Sequence, residues 1–149
     1  MSKYGARKNK IDYVVSEEVA IDQVNELLEY YDIDPSGLSG GDEEVSDAFE
    51  KALDHVCRAF RTGALSIEQD KDGFPRVIQT LSDGSTSLNY GEVSAKAKIV
   101  MEKFSSTAGY SRIYAFMGSL TGVGKAGIEK LGPRDLAVVE VLGTVFSNA

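Results

Sequence analysis

The chain has one cysteine, one histidine and no long unbroken apolar run. A membrane span needs about 18 or more consecutive apolar residues, so none is expected. Cys57 has no partner for an internal disulfide, which removes any reason to invoke an oxidising compartment. The first ten residues, MSKYGARKNK, are polar and basic and lack the apolar centre of a secretory signal. A cytoplasmic location is the expectation. Nucleophilic catalysis has little to draw on, because His55 and Cys57 lie two positions apart on a predicted helix, where side chains do not face each other. Cys57 is expected as a small buried apolar group and His55 at the helix surface. Nor do cysteine and histidine offer the ligand spacing of a zinc site, and no cofactor is expected.

What the chain does have is an uneven charge. The net charge is −7, yet residues 1–10 carry Lys3, Arg7, Lys8 and Lys10 with no acid. From Asp12 to Asp54 there are fourteen carboxylates against one base, Lys51, and from His55 onward nine acids face eleven bases. An acidic N-terminal half disfavours nucleic-acid binding, which depends on clustered Lys and Arg. It suits a partner with a basic surface, although such carboxylates also serve simply to solvate outer helix faces. With 149 residues, 42% hydrophobic and 26% charged, the chain fits one folded domain. The expected organisation is a basic arm over 1–15 and a single α+β domain over 16–149.

Periodicity divides that domain into three parts. Ser16 offers an N-cap, Glu17 and Glu18 suit a first turn, and Ala20, Val24, Leu27, Leu28 and Tyr31 repeat at helical spacing until Asp34-Pro35. KIDYVV before it reads as a short strand or an extended lead-in. PSGLSGGD is a linker by composition. Val45, Phe49, Ala52, Val56 and Phe60 then form a second helical stripe ending at Gly63. These two acidic helices occupy 16–62. Over about 64–90 the period changes to two: Leu65 and Ile67, then Val77, Gln79 and Leu81, then Thr86, Leu88 and Tyr90. Asp72-Gly73 and Asp83-Gly84 separate the runs, which predicts a three-stranded antiparallel meander, with Pro75 opening its strand or lying at an edge. Helical spacing returns over 92–147, through Val93, Ala97, Val100, Met101 and Phe104, then Ile113, Phe116, Met117 and Leu120. Four glycines between 118 and 127 make the next stretch close-packing or locally broken. Gly132-Pro133 opens a last helix with Leu136, Val139, Leu142, Val145 and Phe146.

Two segments resemble ligand loops and fail on detail. GSLTGVGKAG has five residues between Gly118 and Gly124 where a phosphate loop has four, and Ala126 stands where Ser or Thr would bind magnesium. EQDKDGFPRVIQ places Glu68, Asp70, Asp72 and Gly73 like a calcium loop, but Gln79 replaces its bidentate Glu, so hairpin chemistry is the better reading. Paired carboxylates such as Asp42, Glu43 and Glu44 lie in charge runs without an evident pocket. Tyr30, Tyr31, Tyr90, Tyr110 and Tyr114 could make a contact surface or line the edge of the core.

The stretch 114–146 resembles the C-terminal part of tail assembly chaperones of tailed bacteriophages. The likeness rests on Leu120, Thr121 and Gly122 at a turn, Ile128 and Leu131 on a small helix, and Asp135, Leu136, Leu142 and Phe146 on a last apolar helix. The preceding hairpin and the helix beginning near Glu92 follow the same order, while GEV stands where one branch of that family carries Arg-Glu-Pro. The resemblance implies a non-enzymatic role: binding the long helical tape measure protein and keeping it soluble while tail tube subunits assemble around it. It also implies a client groove, with Phe116, Leu120, Ile128, Leu131, Leu142 and Phe146 as partner-binding candidates. No nucleic acid or membrane enters this reading, and self-association into a homo-oligomer stays open. The alternatives are a structural component of a virion or other assembly, and a small enzyme built from dispersed carboxylates with Arg58 or Arg61.

Overall fold

Ser16 caps the first helix, α1 (Glu17–Tyr30), by accepting a 3.2 Å hydrogen bond from the Val19 amide, and Glu17 and Glu18 lie at the positive end of its dipole. The computed structural model describes residues 12–35, 43–105 and 108–149. The basic residues 3–10 and the linker 36–42, with Asp42, therefore lie outside the described residues, as do the side chains of Glu43 and Glu44. The other elements are α2 (Glu43–Thr62), β1 (Leu65–Gln69), β2 (Pro75–Thr80), β3 (Ser87–Tyr90), α3 (Ala95–Glu102), α4 (Gly109–Thr121), α5 (Gly124–Glu129) and α6 (Pro133–Phe146). The protein is α+β and mostly helical, with one three-stranded antiparallel sheet.

The first helix ends earlier than Asp34-Pro35 predicts. Asp32 takes φ +54°, the Asp32 amide bonds to the Glu29 carbonyl and the Ile33 amide to the Leu28 carbonyl. That paired pattern satisfies the last carbonyls of the helix and turns Ile33 back into the core. Upstream, residues 12–15 form no strand; the chain bends at Val14 and Val15, and the Val14 amide donates to the Arg61 carbonyl at 2.6 Å. At the end of α2, Gly63 has φ +84°, the left-handed position expected of a helix-terminating glycine.

The sheet order is β1-β2-β3. Its register puts Leu65, Gln79 and Leu88 in one inward row and Ile67, Val77 and Tyr90 in the next, as a period of two requires. Pro75 opens β2, and β2 is the central strand rather than an edge. The loops between strands are held by their own aspartates. The Asp70 carboxylate accepts from the Asp72 and Phe74 amides and meets Arg76 Nε at 3.3 Å. Asp83 accepts from the Ser85 and Thr86 amides and from the Thr86 hydroxyl. Gly73 and Gly84 supply the positive φ angles of these turns. The segment that resembles a calcium loop is thus a hairpin whose central carboxylate is committed to its own backbone.

These bonds hold both carboxyls below the ordinary aspartate value of 3.8, chiefly through the Phe74 amide for Asp70 and the Thr86 hydroxyl for Asp83. A depressed folded-state pKa contributes stability that is present above 3.8 and lost as the pH falls through the lowered value. The amide resonances of Phe74 and Thr86 are expected to hold steady through neutral pH and to move only below the ordinary carboxylate range. Movement near pH 4 or above would show that the carboxylates do not hold the turns.

One buried cluster runs from α1 to α6. Phe146 stacks on Tyr31 with ring centroids 4.2 Å apart and meets the edge of Tyr90 at 5.7 Å. The ends of α1, β3 and α6 converge on these three rings. Burial raises the pKa of both tyrosines, whose hydroxyls donate to the Gly91 carbonyl and to Gln79 Oε1. Gln79, 0% exposed, also donates from Nε2 to the Asp135 carbonyl at 2.9 Å, joining the sheet to the start of α6. Replacing Gln79 with leucine leaves the Tyr90 hydroxyl and the Asp135 carbonyl without that partner. A loss of about 2 kcal/mol is expected in urea unfolding, because an unpaired buried polar group forfeits its full desolvation cost.

Candidate functional site

The cleft begins where α6 leaves the sheet. Both oxygens of the Asp135 carboxylate are used there: Oδ1 accepts from the Ser82 amide and Oδ2 from the Ser82 hydroxyl, each at 2.9 Å. With the Gln79 bond, this pins the first turn of α6 to the end of β2. Beside the clamp, α6 packs against α2. The side chains along that seam are short, with Ala59 on α2, Ala64 before β1 and Ala137 on α6, so the two helices do not fill the space above them. The result is an open cleft of about 780 Å³, floored by those alanines with Val138 and Val141.

Its rim carries charges of both signs, Arg58 and Arg134 against Asp135 and Glu140. His55 and Arg58 stand on the exposed side of α2, and Arg134 stands exposed in the first turn of α6. The two carboxylates of the cleft are already engaged, Asp135 with Ser82 and Glu140 as acceptor from the Tyr114 hydroxyl at 3.2 Å. Burial, reinforced by Glu140, raises the Tyr114 pKa, so that hydroxyl stays a donor. Among the described residues, ion pairs join Arg76 to Asp70 and Lys125 to Glu129, and Arg58 and Arg134 take part in neither. Asp54 lies four residues before Arg58 on α2 without closing to ion-pair distance. Two guanidiniums at the edge of an apolar trough can grip planar anionic groups in a bidentate manner while the floor receives apolar side chains.

The candidates carried by the resemblance sit elsewhere. Phe116, Leu120, Ile128, Leu142 and Phe146 are buried in the core, and Leu131 is half-buried against it. They are not the walls of a surface groove, because α4, α5 and α6 turn these apolar faces toward one another and toward α1 and the sheet. The two arginines of the enzymatic alternative are also separated in role. Arg58 lines the cleft, whereas the Arg61 guanidinium lies over the Tyr13 ring, 3.8 Å from its centroid. His55 is exposed as expected. Cys57 is half-buried, and burial raises its thiol pKa, which makes it a poor nucleophile.

The glycine-rich segment 118–127 serves packing. A Cβ on Gly118 would sit 2.3 Å from the Gly124 carbonyl carbon, so the glycine is what lets α5 fold back onto α4. Lys125, the lysine of the imperfect phosphate loop, is paired with Glu129 at 2.8 Å. Tyrosine divides in the same way: Tyr31 and Tyr90 belong to the core, and Tyr110 is exposed.

Arg134 is the site residue that periodicity passes over, although a local signal marks it. A cation in the first turn of a helix opposes the helix dipole, so its presence there is not explained by helix stability. Ser82 carries no such mark, because its role depends on a partner 53 positions away. Among the described residues, no group of histidine, cysteine and carboxylate side chains converges to hold a metal, and no helix is long and apolar enough to cross a membrane. The chain matches no family model, no curated protein and no solved structure.

Proposed function

We propose that this protein is a non-enzymatic assembly chaperone of the tailed-phage type, which seats a segment of the tape measure protein in the cleft between α2 and α6 and keeps that client soluble while tail tube subunits assemble. The observation that carries the reading is the cleft itself: an open trough of about 780 Å³ with an apolar floor and a charged rim. A helical or extended segment can lay an apolar face into such a trough, with rim charges fixing its orientation. The resemblance over 114–146 supports the same reading, since the last helix of that stretch forms one wall of the cleft. Among the described residues, exposed carboxylates of α1 and α2 such as Glu17, Glu18, Asp22, Glu26, Asp47 and Glu50 give the remainder of the complex a hydrated, mutually repelling surface, which suits a carrier of an aggregation-prone client. The cell of action is the host cytoplasm.

Co-expression with a tape measure protein from the same genome tests the proposal. The client is expected to move from the pellet to the soluble fraction and to co-purify with this chain. A client no more soluble with the chain than without it contradicts the proposal. Recovery of the chain in stoichiometric amounts from purified particles would instead favour a structural component of the virion.

A further inference from the structure

A second hollow, of about 420 Å³, opens between α3, α4 and α5 and shares no lining residue with the α2–α6 cleft. Val100, Phe104 and Ala115 give it an apolar floor. Its charged lining is of one sign: Lys96 on α3, Lys103 at the end of α3 and Lys125 on α5, with no carboxylate among the residues that line it. Lys125 lies 2.8 Å from Glu129, which stands outside the lining, so three lysines still exceed that one carboxylate by two charges. Among the described residues Lys96 and Lys103 join no ion pair, and Glu102, exposed beside Lys103, closes on neither. Lys125 is held at the hollow from a second side, with its ammonium 5.4 Å from the centroid of the Phe104 ring. On a chain of net charge −7, this hollow keeps a positive charge that its neighbours do not neutralise.

The kind of anion follows from the same residues. Lys96 and Lys103 stand seven positions apart, about 10 Å along the helix axis, so an elongated, multiply charged anion answers both better than a single compact one. Lysine presents a point charge suited to phosphoryl oxygens, whereas the planar fork that matches a carboxylate belongs to arginine. The one arginine of these three helices, Arg112, is engaged elsewhere, donating to the Met101 and Phe104 carbonyls at the end of α3. The volume falls within the range of about 300 to 1,000 Å³ typical of small-ligand sites. Nucleic acid is the less fitting phosphate, because the carboxylates of the rest of the chain repel a continuous backbone.

We propose that the α3–α4–α5 hollow binds a small organic phosphate with two or more negative charges, its phosphoryl groups among Lys96, Lys103 and Lys125 and its organic body on Val100, Phe104 and Ala115. The site does not rest on the chaperone reading. The test uses the full chain and isothermal titration calorimetry, without divalent cations so that the phosphates keep their charge, and with three probes: ADP, inorganic pyrophosphate and citrate. One ADP is expected to bind per chain. Pyrophosphate should bind more weakly because it leaves the apolar floor uncovered, and citrate more weakly because it offers carboxylates in place of phosphoryl groups.

The double variant Lys96→Gln, Lys103→Gln is expected to weaken ADP binding about tenfold or more, the scale of losing charge-assisted contacts. The control Lys51→Gln, Lys71→Gln removes the same charge from α2 and from the turn before β2, and its affinity for ADP should equal that of the parent. All four lysines are exposed, so the thermal melts of both variants should match the parent. The proposal is overturned by an absence of ADP binding, by pyrophosphate or citrate binding as tightly as ADP, or by an equal loss in the two double variants. Displacement of ADP by a single-stranded oligonucleotide at lower concentration than by free ADP also overturns it, since the hollow would then serve a nucleic acid.

Discussion

Replacing Phe146 with alanine is expected to lower the free energy of unfolding by about 3 to 5 kcal/mol, the range for truncating a fully buried aromatic ring. The ring is 0% exposed, stacks on Tyr31 at 4.2 Å and meets Tyr90 at 5.7 Å. Its two neighbours cannot readily collapse into the gap, since the Tyr31 hydroxyl is tied to the Gly91 carbonyl and the Tyr90 hydroxyl to Gln79. The cavity term therefore adds to the lost transfer energy instead of relaxing away. Domains of this size are stable by about 5 to 15 kcal/mol, so a fall of this scale will be plain in a urea titration. A groove-lining Phe146 would behave oppositely, with stability preserved and client binding lost.

Gly118→Ala is the second large effect, and its sign is what makes it informative. In an open helix interior, alanine is better than glycine by about 1 kcal/mol. At Gly118 the new Cβ would lie 2.3 Å from the Gly124 carbonyl carbon and 2.5 Å from the Lys125 amide nitrogen, both backbone atoms that no rotamer change can move. Either α5 lifts from α4 or the turn after Gly122 distorts, and the expected outcome is a net destabilisation of about 2 to 3 kcal/mol. Gly109 on the same helix provides the control, because a Cβ there has nothing within 4 Å and its φ is not positive. Gly109→Ala should leave the melting temperature unchanged or raise it. A Gly118→Ala protein as stable as Gly109→Ala would contradict the tight α4–α5 contact.

The contrast between these residues shows what a sequence can and cannot state. Local rules place most of the elements. The Ser16 cap, the glycine after α2 and the change of period at Leu65 each depend on neighbours within a few positions, and the helices and the meander stand where those signals put them. The end of α1 is missed because an aspartate, not a glycine, takes the left-handed position at residue 32. The strands stop at Thr80 and begin again at Ser87, shorter than the alternation suggests, because the Asp83 carboxylate pulls Thr86 into the turn.

The site is less legible than the fold. An apolar stripe at helical spacing says that a helix has a hydrophobic face but not what covers it, so Phe116, Leu120, Ile128, Leu142 and Phe146 read equally as groove and as core. Packing decides for the core. The cleft arises from two facts with no sequence-local trace: small residues on α2 and α6 meet at one seam, and Asp135 finds Ser82 across 53 positions. Only Arg134, misplaced with respect to its helix dipole, could have been marked in advance.

The central claim is that the α2–α6 cleft is the seat of the client, and a cleft-filling variant tests it most directly. Ala137 is exposed on the cleft floor, so Ala137→Trp occupies the trough without entering the core. The measurement is the soluble fraction of the tape measure protein co-expressed with the parent chain or with Ala137→Trp, at matched levels of folded protein. The account predicts that the client is soluble with the parent and returns to the pellet with the variant, whose thermal melt is unchanged. A variant that folds normally and holds the client in solution as well as the parent does would place the binding surface elsewhere and contradict the claim.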